Sequence, residues 1–135
     1  MSSSKQAITE FLAQEFPQTA EKCVIENISA EGAQLLYRVD QHDLRPGQTV
    51  SGPTLMAIAD LALYVAIMGR LGLVAMAVTS NMNINFFRKP QAQQNIRAEC
   101  RLIKVGKILV TGEVWLYSLA QEEPVAHVIG TYALP

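Results

Sequence analysis

The sequence predicts an α+β fold in which a curved antiparallel sheet wraps a long central helix. Three observations predict it. The stretch from Pro53 to Gly69 is apolar on every side apart from Asp60, and a helix of that kind is buried on every side. The chain after it alternates polar and apolar residues with the period of a strand. Its strands are joined by tight turns, and such turns favour antiparallel neighbours because a parallel pair needs a long crossover. A helix this hydrophobic cannot lie with one side in water, so a sheet curved around it is the economical arrangement.

The elements follow in order. From Ser4 to about Phe16 the apolar residues Ile8, Phe11 and Leu12 recur at helical spacing. Cys23 to Ile28 and Gln34 to Val39 read as two strands joined by a turn at Ser29 to Gly32. Gln41 to Gly52 is a polar loop. In the central helix Ser51 or Gly52 is the expected N-cap, Pro53 suits the first helical position, and Gly72 closes the element after about Leu71. Beyond it, Val78 to Phe87 alternates, with Met82, Ile84 and Phe86 on one face and Thr79, Asn81, Asn83 and Asn85 on the other. Asn95 to Lys104 sets Ile96, Ala98, Cys100 and Leu102 against Arg97, Glu99 and Arg101. Val105-Gly106-Lys107 turns into Ile108 to Ser118, and Glu122-Glu123-Pro124 turns into Val125 to Ala133.

The 135 residues form one expected domain, 1–135, able to bury roughly two-thirds of its unfolded surface. Half the residues are hydrophobic and the net charge is −1, which points away from disorder and from a nucleic-acid partner. Arg88, Lys89, Arg97, Arg101, Lys104 and Lys107 fall close together, however, and a local basic zone suits a small phosphate-bearing ligand or a solvated strand face. Cys23 and Cys100 show no CxxC spacing and read as reduced core thiols; with two histidines, no metal site or cofactor is expected. The start Met-Ser-Ser-Ser-Lys-Gln lacks the apolar segment of a signal peptide, and the central helix is short of a membrane span and charged at its centre. A cytoplasmic protein with no membrane partner is the expectation.

Asp60 is the chemically informative residue. A carboxylate stripped of water is a stronger base, and eight residues before it a helix N-terminus presents free N–H groups and partial positive charge. A base and an anion-binding helix end are two ingredients of carbonyl chemistry. A structural acid satisfied by hydroxyl or backbone donors is the competing reading. Ser51 lacks a Gly-x-Ser-x-Gly elbow and reads as a cap or polar lining rather than a nucleophile. Met56 and Tyr64 follow helical spacing around Asp60, as core or as pocket lining.

These residues resemble the hotdog-fold acyl-CoA thioesterases, in particular the small group that includes the phenylacetate-pathway thioesterases. That group carries His-Gly-Gly, six residues, then Asp or Glu; here the same spacing reads Ser51-Gly52-Pro53, six residues, Asp60. Thr79 to Phe86 resembles the family's strand after the helix, and Val105-Gly106-Lys107 resembles its turn. The resemblance implies a hotdog fold and hydrolysis of a thioester to a carboxylic acid and free coenzyme A. It makes Asp60 the general base or nucleophile, Gly52 N–H the oxyanion donor and Thr79 a holder of the attacking water. It also implies a homodimer or homotetramer with active sites at the subunit interface, the carboxylate from one subunit and the helix end from its partner. Arg88, Lys89, Lys104, Gly106 and Lys107 become candidates for contacts to the coenzyme A tail. The polar row of Asn81, Asn83 and Asn85 reads as a wet interface, a ligand surface or plain solvent exposure, with Asn81 the substrate-binding candidate among them. The family's first His is Ser51 here and its second Gly is Pro53; its upstream Asn or Gln aligns with Arg45, or with Gln48 after a one-residue gap. Two rivals remain: a hydratase, which needs a catalytic His near the helix, and a non-catalytic acyl-CoA binding or sensing protein.

Overall fold

The computed structural model describes residues 2–90, 94–119 and 121–135. Helix α1 (Lys5–Glu15) starts from Ser4, whose Oγ accepts from Ala7 N, and a single turn α2 (Pro17–Ala20) follows. Strands β1 (Cys23–Ile28) and β2 (Gly32–Tyr37) form a hairpin. The expected polar loop contains a 3-10 turn, Gln41–Asp43, and a two-residue ladder of β3 (Leu44–Arg45) with β4 (Thr49–Val50). After α3 (Gly52–Leu71) come β5 (Val78–Phe86), β6 (Ile96–Val105), β7 (Leu109–Ser118) and β8 (Ala126–Ala133). Six strands form one antiparallel sheet in the order β1-β2-β6-β7-β8-β5, and α3 packs against its inner face. This is the hotdog arrangement the sequence led us to expect.

Ser51 is the cap of α3: its Oγ accepts from Thr54 N at 3.2 Å, which makes Gly52 the first helical residue and Pro53 the second. Gly72, at φ 96°, ends the helix in a backbone conformation that favours glycine. Leu63, Ile67 and Met68 are fully buried, each contributing about 1.5–3 kcal/mol of apolar transfer. The helix is long and apolar enough to cross a bilayer, yet most of its apolar surface is spent on this core.

Two glycines set how closely helix and sheet approach. Gly112 and Gly130 are paired across β7 and β8, both beneath Leu63. A Cβ would stand 2.7 Å from Leu63 Cδ1 at the first and 2.9 Å from Cδ2 at the second, so Leu63 occupies a slot that two absent side chains create. Asp60, one turn earlier, is thereby brought down onto β8.

Burial on every side holds only for the C-terminal part of α3. Pro53, Met56 and Ala57 are exposed, and Asp60 and Leu61 are half-buried. Their spacing makes them one stripe along the first two turns, open in the isolated protomer. The outer edge of β5 pairs with nothing among the described residues, and Val78, Phe86 and Phe87 beside it are about half exposed.

Candidate functional site

The carboxylate of Asp60 is held by two hydroxyls. Thr79 donates to Oδ1 at 2.5 Å and Tyr132 donates to the same oxygen at 2.8 Å. The Tyr132 hydroxyl also lies 3.1 Å from the Asp60 main-chain oxygen. Burial pushes the Tyr132 phenol well above its ordinary pKa, so it remains a proton donor across the physiological range.

Thr79 reaches Asp60 because the strand is irregular. Strict alternation puts Thr79 on the same face as Asn81, and that expectation is corrected here. A bulge lies between them: Thr79 pairs with Tyr132 and Asn81 with Thr131, leaving Ser80 as the extra residue. Thr79 therefore shares the inner face with Tyr132, while Asn81, Asn83 and Asn85 stay on the outer one. Sequence reasoning named Thr79 but missed Tyr132, which stands 72 positions from Asp60. The one signal that could have found it is a tyrosine on the inward phase of the last strand.

Beside Asp60 opens a cavity of about 490 Å³. Its apolar walls come from Leu12 and Phe16 at the N-terminal helices, Leu61 and Tyr64 of α3, and Ala77. Phe16 meets the Tyr64 ring edge-on at 6.1 Å, and Tyr64 stacks on Tyr132 at 5.9 Å. Of the two helix residues expected to surround Asp60, Tyr64 lines this cavity and Met56 does not; Met56 is on the open stripe.

Gly52 belongs to a different cavity of about 520 Å³, with Pro53, Arg45, Phe86, Arg88 and Lys89. Its N–H has no hydrogen bond among the described residues. Eight residues of helix separate Gly52 from Asp60, about 12 Å along the axis. One thioester carbonyl cannot touch both groups within a single protomer. Arg88 is ion-paired with Glu123 on the surface. Lys104, Gly106 and Lys107 sit at the tip of the β6–β7 hairpin, closed by Gly106 N donating to Leu109 O at 2.9 Å. Leu109 is opposite Ala133, which is opposite Val78, so that tip lies at the Thr79 end of the sheet.

Ser51 Oγ donates to Thr54 Oγ1 at 2.9 Å, a capping arrangement rather than a nucleophile's. Gln48, at φ 64°, lies in the β3–β4 turn. The start of α3 is tied down by Asp43, which the sequence did not single out. Asp43 accepts from Lys22 Nζ at 2.5 Å and from Asp40 N at 2.9 Å, and its main-chain oxygen receives Ser51 N at 2.8 Å. His127 packs against Trp115 with the rings tilted and their centres 4.0 Å apart, and meets Glu113 at 2.9 Å on the outer face; neither histidine lines the Asp60 cavity. Burial pushes the thiols of Cys23 up to about 11 and of Cys100 up to about 12, which leaves both protonated and unreactive at neutral pH.

An acid-bearing core helix, wrapped by such a sheet and opening on an apolar cavity, defines the hotdog class of thioester hydrolases. Residues 47–125 match the model of the thioesterase superfamily, and the chain belongs to that family. It is 35% identical to a candidate thioesterase from Silicibacter sp. TM1040, with a TM-score of 0.90 over 98% of this chain and 92% of that one. Thioesterase superfamily member 2 from Mus musculus superposes with a TM-score of 0.85 at 21% identity, covering all of both chains. The PaaI protein of the E. coli phenylacetic acid degradation operon gives 0.83 at 19%, covering 97% of this chain and 93% of that one; these two likenesses concern the fold. No curated protein sequence matches the chain.

Proposed function

We propose that this thioester hydrolase acts on acyl-coenzyme A, as a single hotdog domain spanning residues 1–135, and that it works as a homodimer or homotetramer in the cytoplasm. Asp60 takes a proton from water as the water oxygen attacks the thioester carbonyl. The carbonyl electrons move onto oxygen, which Gly52 N–H stabilises. Collapse of that intermediate breaks the C–S bond, the proton passes to sulfur, and a carboxylic acid and free thiol leave. General-base help is worth roughly 10²–10⁴ in rate and an oxyanion donor roughly 10²–10³.

The observation that carries this reading is the Asp60 carboxylate, held by two hydroxyls at the mouth of an apolar cavity. The separation of Gly52 from Asp60 along one helix argues that the donor comes from a second copy. The unpaired edge of β5 supplies a means. Two such edges pairing antiparallel about Met82 would set Phe86 of one copy against Val78 of the other. Phe86 lies against Gly52, since a Cβ there would meet its ring at 3.3 Å. The partner's Gly52 would then approach Thr79 and Asp60, and the open stripe on α3 would be covered. The same pairing gathers Lys104 and Lys107 of one copy with the partner's Arg88 and Lys89, cations suited to a phosphate-bearing tail.

A panel of short, medium, long and aryl acyl-CoA esters, read with a thiol reagent, tests the proposal. Release of thiol from at least one ester, abolished by Asp60→Asn, is the expected result. Binding of the esters without release from any would favour the non-catalytic sensing protein instead.

A further inference from the structure

The hydroxyl that holds Asp60 from β8 is a feature that no part of the helix motif supplies. We propose that Tyr132 is a positioning residue for Asp60: together with Thr79 it pins Oδ1 and leaves Oδ2 as the oxygen that acts on water. The proposal rests on the hydrolase reading above and deepens it. Each hydroxyl has one proton. Thr79 spends its own on Oδ1 at 2.5 Å. Tyr132 has two acceptors, Oδ1 at 2.8 Å and the Asp60 main-chain oxygen at 3.1 Å, and the shorter, charged one takes it. No hydrogen bond to Oδ2 occurs among the described residues. A carboxylate free to rotate would present either oxygen; with one oxygen doubly held, the other has a set direction, which is what a base acting on one bound water needs.

Tyr132 is itself held. It is 4% exposed, its ring stacks on Tyr64 at an angle of 21°, and the Tyr64 hydroxyl is occupied by Ala75 O at 3.0 Å. The helix that carries Asp60 lies close to the strand that carries Tyr132, with Leu63 seated in the slot left by Gly112 and Gly130. The other titratable groups lining the cavity are the phenols of Tyr37 and Tyr64, both raised by burial, with Glu15 of α1 acting on Tyr64. Asp60 is the only carboxyl group among the described residues that line this cavity.

The test is Tyr132→Phe, which keeps the ring stack and removes the hydroxyl. Two measurements are made on wild type and variant: the pH profile of kcat and KM with an acyl-CoA ester, and the titration of the Asp60 carboxyl carbon by NMR with ¹³C-labelled aspartate. Expected are a kcat lower by about tenfold or more, an unchanged KM, and an acid limb and carboxyl midpoint displaced upward together by about one to two pH units. Loss of folded protein would lower the apparent kcat without moving either pH value. An unmoved carboxyl midpoint overturns the proposal, as does a moved midpoint with kcat and acid limb unchanged. If wild type hydrolyses no ester, the hydrolase reading fails separately, and the carboxyl titration still decides whether Tyr132 holds Asp60.

Discussion

The 12 Å of helix between Gly52 and Asp60 makes a quantitative prediction about mixed dimers. Asp60→Asn removes the base, and Gly52→Pro removes the N–H while remaining compatible with the first helical position. Alone, each variant should lose at least about 10² in kcat. Co-expressed in equal amounts they assort at random, so about half the dimers carry one protomer of each kind. In such a dimer one composite site has the native carboxylate of one chain and the native N–H of the other. The second site lacks both. Half the dimers with half their sites intact gives about a quarter of wild-type turnover, at wild-type KM. Mixed dimers isolated through two different tags should show about half the wild-type rate. Thermal melts of each parent confirm that both fold. If tagged mixed dimers form and turn over no faster than the mean of their parents, the two groups do not meet across a subunit boundary, and the proposed mechanism is wrong.

Three further outcomes follow from the geometry. Lys107→Ala should raise KM for coenzyme A esters more than for truncated thioesters, because its hairpin tip serves the tail rather than the acyl group; equal effects on both would count against a phosphate contact. Phe16→Ala opens the wall of the cavity beside Tyr64, and should shift the kcat/KM optimum on a chain-length series toward longer or bulkier acyl groups. Gly112→Ala places a methyl 2.7 Å from Leu63 Cδ1 and 3.1 Å from Arg101 O, an overpacking that should cost about 1–3 kcal/mol and lower Tm by several degrees. Leu63→Ala should cost less in that background than in wild type, a coupling that a double-mutant cycle on melting data would reveal.

Much of this was legible in the chain because the strongest signals are local. The helix from Ser51 to Gly72 declared itself by cap, proline, apolar run and closing glycine, and Asp60 by being the lone charge between Pro53 and Gly69. The alternation from Ile96 to Leu102 named the inward residues of β6 correctly. What escaped depends on partners distant in sequence. Tyr132 looks like any inward strand residue until β8 is laid beneath α3. Lys22 and Asp43 meet across 21 positions, and nothing in either neighbourhood announces the pair. The division of Asp60 and Gly52 between two cavities follows from the rise of a helix, and so could be read in advance from their spacing alone.

The extra residue at Ser80 has one more consequence. Which side chains a strand offers to the interior is a matter of parity, and in β5 that parity changes between Thr79 and Asn81. Dropping a single letter there would turn the threonine outward, or the rest of the strand inside out, with every reactive group still spelled correctly. The chemistry of this protein is thus written partly in a count, and a comparison of residue identities alone would pass over its loss.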